Sequence, residues 1–308
     1  MTDYTLQDPA GTSAEPAMPS PRDWHVFIDR LLLAFGSLAL AFSLLFFIAY
    51  NWNGFGRLAH FALVEAALVV TVGLYWWLAG RHGALHTAPR LMLLLASLLL
   101  GVLLALYGQT YQTGADSWQL FATWAGLMLP WTLLGRSNVL WLAWFALFNL
   151  TLVLYFQAFD GVFWVLADAE YGLLWVLFEF NLGALVLWEG LRGELRWLTG
   201  RWGPRILAVA AGGSITALAL LNLESLLLLL IWSGWLGLTF GVYYWCIRDL
   251  FMLTGCCLAA IMVIIANIAR LVLSDGDPSA LVLLAVATIG LGAVSGRMLR
   301  RIHRQWQS

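Results

Sequence analysis

The run Leu91-Met92-Leu93-Leu94-Leu95-Ala96-Ser97-Leu98-Leu99-Leu100-Gly101-Val102-Leu103-Leu104-Ala105-Leu106-Tyr107 carries no charge between Arg90 and the polar loop that starts at Gly108. As a helix rising 1.5 Å per residue it covers most of a hydrocarbon core about 30 Å thick. Apolar residues occupy every face of that helix, so its surroundings must be apolar all round, as they are in a bilayer. The pattern recurs along the chain, at 31–50, 60–79, 91–107, 119–134 and 139–156, then at 171–188, 206–221, 226–245, 250–272 and 280–294. The weakest break is 222–225, where Glu224 is the one charge, so a nine-helix variant stays open. Composition agrees: 62% of residues are hydrophobic and 11% charged, against roughly 45–50% and 25% in soluble domains. The expectation is an all-α integral membrane protein, a polytopic bundle of about ten transmembrane helices, and a soluble protein is excluded.

All 16 basic residues are arginine. Counted on alternate sides of ten spans, the arginines at 22, 30, 81, 90, 136, 192, 196, 201, 205, 248, 297, 300, 301 and 304 share the side of the N-terminus, while Arg57 and Arg270 take the other. Short cytoplasmic segments hold the positive excess in membrane proteins. The count therefore predicts cytoplasmic N- and C-termini in a bacterial inner membrane. The organisation reads as a disordered tail over 1–21, rich in proline, five helices over 22–156, five more over 157–296, and a basic cytoplasmic tail over 297–308. No short apolar segment with a cleavage site precedes the first span, so no removed secretory signal is expected. A net charge of −1 offers no footprint for nucleic acid. Cys246, Cys256 and Cys257 lack ligand spacing and read as packing residues, and His60, His82, His86 and His303 read as surface or interfacial. No metal or cofactor is expected.

Polar residues collect toward the outer half. The first span exits through Tyr50, Asn51, Trp52 and Asn53, and the third through a loop that includes Gln109, Tyr111, Gln112, Asp116 and Trp118. Amides, hydroxyls and rings this dense suit either a binding site or an interfacial belt of aromatics and helix caps. Asn149, Gln157, Asn222, Glu224 and Asn267 point to the same half, so all could line one outward-facing polar cavity. Two carboxylates fall inside the apolar boundary. Glu179 is near mid-membrane, where a charge costs roughly 3 kcal/mol, and Glu65 lies below the outer surface within reach of Arg57. Arg57 and Arg270 are the outer-face bases. The turn Asp275-Gly276-Asp277-Pro278 and the short apolar piece 162–167, between Asp160 and Asp168, read as outer interfacial structure. Pro130 marks a kink in the fourth span.

The loop Tyr107-Gly108-Gln109-Thr110-Tyr111-Gln112-Thr113-Gly114-Ala115-Asp116, with Trp118, Leu120-Phe121, Trp124 and Leu129-Pro130-Trp131, resembles the signature of the DUF2157 family of prokaryotic membrane proteins. Ile48-Ala49-Tyr50-Asn51-Trp52 is similar to that family's first-span ending. The resemblance covers roughly 22–156; members often carry a longer N-terminal segment than 23–30. It implies a multi-pass bacterial membrane protein and no particular reaction.

Three function classes fit these residues. The first is a transporter-like protein or a binder of a small molecule or lipid headgroup, with Glu179 as its intramembrane acid. The second is a scaffold or assembly partner for another membrane protein, built on small-residue seams such as 210–214. Third is a periplasmic-face enzyme using Asp116 or Glu65 as base and Arg57 or Arg270 to hold a phosphate. The lipid bilayer is a partner in all three.

Overall fold

The computed structural model describes residues 21–50, 54, 56–83, 86–111, 114, 116–159, 171–195, 197–198, 200–272 and 279–307. Among them are helices and no strand. In chain order the helices are α1 (Pro21–Tyr50), α2 (Arg57–His82), α3 (Thr87–Tyr111), α4 (Ser117–Gly135), α5 (Asn138–Ala158), α6 (Gly172–Leu191), α7 (Trp202–Leu221), α8 (Leu226–Gly241), α9 (Leu250–Val272) and α10 (Ser279–Gln307). Each predicted span falls on one of them. The uncertain break at 222–225 is a turn between α7 and α8, where the Ser225 hydroxyl accepts the Leu228 N–H and caps α8.

Among the described residues eight helices, α2, α3 and α5 to α10, are long and apolar enough to cross a membrane, α8 together with the turn that follows it. The tryptophans Trp118, Trp124 and Trp131, with Gln119 and Pro130, dilute the apolar content of the 19-residue α4. Pro130 sits inside α4, which continues past it to Gly135. Hydroxyls in the spans are satisfied by their own helices: Ser97, Thr132, Thr151 and Ser214 donate to the carbonyls of Leu93, Met128, Leu147 and Ala210, four residues back. That removes most of the cost of a hydroxyl in an apolar medium.

The chain divides into two compact units, Met1–Leu103 and Leu104–Ser308. In the first, Leu95 and Leu99 of α3 pack with Ala67 and Leu68 of α2. His60, expected at the interface, is instead buried on α2, 3% exposed, one turn before the fully buried Val64. These two positions lie on one face of the helix, which carries the imidazole inward.

In the second unit α6, α7, α8 and α9 share a core of Phe178, Ala211, Ile215, Leu218, Trp232 and Val263. Two interhelical hydrogen bonds pin indoles within the bundle, Trp144 Nε1 to the Ala125 carbonyl and Trp232 Nε1 to Thr216 Oγ1. A reciprocal amide pair joins α5 to α6. Asn181 Nδ2 donates to Asn149 Oδ1 at 2.6 Å, Asn149 Nδ2 returns a bond to Asn181 Oδ1 at 3.1 Å, and each amide also donates to a carbonyl of its own helix. Asn149 therefore faces a neighbouring helix. With polar helix–helix contacts in membranes worth about 1 kcal/mol, Asn149→Leu and Asn181→Leu are expected to show a coupling of about that size in a double-mutant cycle of unfolding. Additive losses would mean that the reciprocal pair does not form.

Candidate functional site

Two features of the second unit meet at one end of α7 and α9. The first is ionic. Asp249, its side chain 2% exposed, receives Arg205 through two bonds, Nε to Oδ2 at 3.1 Å and Nη2 to Oδ1 at 2.9 Å. Oδ1 also accepts the Phe251 N–H and so caps the start of α9. Arg201 Nη2 donates to the Ile247 carbonyl at 2.9 Å, while its Nη1 lies 3.7 Å from Asp249 and 4.0 Å from Glu189 with no hydrogen-bond acceptor among the described residues. Glu189, near the end of α6, also takes the Tyr243 hydroxyl at 3.2 Å and faces Arg192 at 3.7 Å.

The backbone between α8 and α9 brings these groups together. Residues Val242–Cys246 form a π-helical turn in which the Ile247 N–H bonds the Val242 carbonyl. The turn buries Tyr243 and aims it at Glu189. Arg248 follows at φ 54°, a left-handed conformation rare without glycine, and sets Asp249 toward Arg205.

The second feature is a cavity of about 370 Å3 lined by α7 over 208–220, by Trp235 and Thr239 of α8, and by α9 over 251–262. Its walls are almost wholly apolar. Val209, Leu258 and Met262 line it and are themselves exposed, which makes it a groove open along the helix surface. Its depth comes from missing side chains: a Cβ at Gly213 or Gly255 would meet nothing within 4 Å. Cys256, buried, forms part of the wall, in keeping with its expected packing role. Phe251 belongs to both features, since it lines the groove and the Arg205 guanidinium lies 5.1 Å from its ring. The ionic cluster thus closes one end of the groove.

The residues singled out from sequence lie elsewhere. Asn51, Trp52 and Gln112, and with them Asp160, Asp168, Asp275, Asp277 and 162–167, lie outside the described residues. Gln109 is exposed on the last turn of α3, and the rings of Tyr111 and Tyr107 lie 4.9 Å apart at a tilt of 43°. Asp116 precedes α4 with an exposed side chain that makes no cap. Trp118 packs edge-on against Tyr155 at 5.0 Å and beside Phe159. Arg57 and Glu65 are exposed on α2 and are not paired with each other. Glu179 is exposed on α6 and has no hydrogen-bond or ion-pair partner among the described residues. Arg270 meets Glu224 at 3.3 Å, an exposed pair at the opposite end of α7 and α9 from Asp249; such pairs contribute little to stability. Asn222 and Asn267 donate to carbonyls of their own helices, from Leu218 and Val263. None of these residues lines the groove.

Comparison with known proteins bears on the N-terminal helices. Residues 5–141 match DUF2157, a family described as a predicted membrane protein. No curated protein and no solved structure matches the chain. The DUF2157 match takes in α1 to α4 and the first residues of α5, so the Tyr107–Trp131 signature lies inside it. The groove and the Asp249 cluster lie beyond the matched residues of this multi-pass membrane protein.

The one sign of the cluster in the sequence is the presence of Glu189 and Asp249 on the arginine-rich side of the spans. Acids there have no role in topology, and each is close to an arginine.

Proposed function

We propose that this multi-pass membrane protein binds an acyl chain, or an apolar molecule of similar girth, in the groove between α7, α8 and α9. The observation that carries the reading is a groove of about 370 Å3 with apolar walls inside membrane-spanning helices. That volume is within the range of small-molecule sites, about 300–1,000 Å3. In a bilayer the apolar molecules at hand are lipid tails. The arginine count further supports a bacterial inner membrane with the Asp249 end toward the cytoplasm.

Gly213→Leu and Gly255→Leu fill the groove without a clash of the added Cβ. Native mass spectrometry of the purified chain is expected to show retained lipid in the wild type and its loss in both variants, each still folded by its thermal midpoint. Equal lipid retention in all three would contradict the reading. A bare wild type that co-purifies with a second membrane protein, released by the same substitutions, would favour the scaffold role instead.

A further inference from the structure

The groove's closed end names a ligand class, and this step rests on the binding reading above. We infer that the occupant is an anionic phospholipid, its acyl chain along Gly212, Gly213 and Gly255 and its phosphate at Arg201 and Arg205.

Position supports this first. Arg205 precedes Ala208 and Val209, both in the groove wall, by three and four residues. One helical turn, about 5 Å, therefore separates the guanidinium-bearing residue from the apolar lining on the same face of α7. Exposed Trp202 and Trp245, 70% and 73%, lie at this same end, and exposed indoles prefer the depth of lipid headgroups. A chain lying in the groove would then carry its phosphate to the level of the arginines.

Charge supports it second. Arg192, Arg201, Arg205 and Arg248 stand against Glu189, Glu194 and Asp249, an excess of cations before any ligand is present. Both oxygens of Asp249 are taken by Arg205, and Oδ1 by the Phe251 N–H as well. Arg201 Nη1 has no hydrogen-bond acceptor among the described residues, and the Arg201 side chain is 30% exposed. A partly exposed guanidinium can turn one N–H toward a phosphate oxygen, and guanidinium–phosphate bonds are among the stronger hydrogen bonds. A zwitterionic lipid offers the same oxygens, yet it brings a trimethylammonium group into a region that is already cationic, which sets the expected preference.

The test uses the full chain in nanodiscs of dioleoylphosphatidylcholine with graded dioleoylphosphatidylglycerol, the lipids kept by the protein being counted by native mass spectrometry. The wild type is expected to retain phosphatidylglycerol over phosphatidylcholine by roughly tenfold, a factor that one charged hydrogen bond can supply. Arg201→Gln should bring that ratio close to one. Gly213→Leu, with Gly255→Leu as the second variant, should remove both lipids alike. Equal retention of the two lipids by the wild type, or an unchanged ratio in Arg201→Gln, would overturn the anionic assignment and leave the groove reading standing. Retention unaffected by either glycine variant would overturn the groove reading along with it. A lipid-free dimer that Gly213→Leu splits would replace both with an interface between copies.

Discussion

Asp249→Leu is expected to lower the unfolding free energy by about 3 kcal/mol. Removing one member of a buried ion pair typically costs about 3–5 kcal/mol, because the partner charge stays behind in a low-dielectric site. Arg205 and Arg201 retain 28% and 30% exposure, so water takes up part of that penalty and the low end applies. Two backbone consequences add to it. The Phe251 N–H loses its cap, and the left-handed Arg248 has no carboxylate to present. The distinguishing measurement is the double variant. Arg205→Leu with Asp249→Leu should recover a large part of the loss, since replacing both partners of such a pair by apolar groups is often close to neutral. A thermal or denaturant series in which Asp249→Leu matches the wild type would contradict the bidentate geometry. A double variant no better than the single one would show that the aspartate acts chiefly as a helix cap.

Gly203→Ala is the second large effect, at about 2 kcal/mol. The first turn of α7 runs so close to α6 that a Cβ at Gly203 would meet the six-membered ring of Trp188. Trp188 is 4% exposed and packed with Ala184, Leu185, Leu198 and Leu207, so its ring cannot move without disturbing that core. Overpacking of this kind costs about 1–3 kcal/mol. Because the conflict is between two named groups, Trp188→Leu should absorb the new methyl. Alone, it costs about 3 kcal/mol for the lost aromatic volume, but Gly203→Ala should then add little in the Trp188→Leu background. An equal penalty for Gly203→Ala in both backgrounds would place its cost in the helix start and not in the contact with the indole.

How far the fold could be read from sequence follows from what a bilayer demands. A helix in lipid is apolar all round, so its existence and rough ends are visible in any uncharged run such as 91–107, and each expected span coincides with a helix. Rotation about the helix axis is not visible in such a run. Glu179 stands out by depth, but on α6 it is the adjacent Phe178, with Asn181, Ala184, Leu185 and Trp188, that forms the buried face. Turning 100° per residue, the helix leaves Glu179 at the surface. The amides misled for the same reason. Asn149 looked like part of an outer cavity and is in fact half of a bonded pair with Asn181, 32 residues away. His60 appeared interfacial because it sits at the edge of an apolar run, yet its face of α2 is the packed one.

The site was harder still to foresee. Its apolar part owes its depth to absent side chains at Gly213 and Gly255, and small residues in a membrane helix signal a helix contact as readily as a groove. Its ionic part is made of arginines that the positive-inside rule already explains. Only the π-helical turn after α8 and the left-handed Arg248 bring Tyr243 and Asp249 to them, and the sequence 242–249 carries no glycine or proline to announce either feature.

The central claim is that a lipid tail occupies the groove between α7, α8 and α9, and photolabelling tests it most directly. The full chain in vesicles containing a phosphatidylglycerol with a diazirine near the end of one acyl chain would be irradiated, digested and sequenced. Labels are predicted to concentrate on 208–220 and 251–262, to fall on wild type in preference to Gly213→Leu, and to be competed by unlabelled phosphatidylglycerol. Labels spread evenly over the exposed faces of all the helices, unchanged by Gly213→Leu and by competitor, would contradict it.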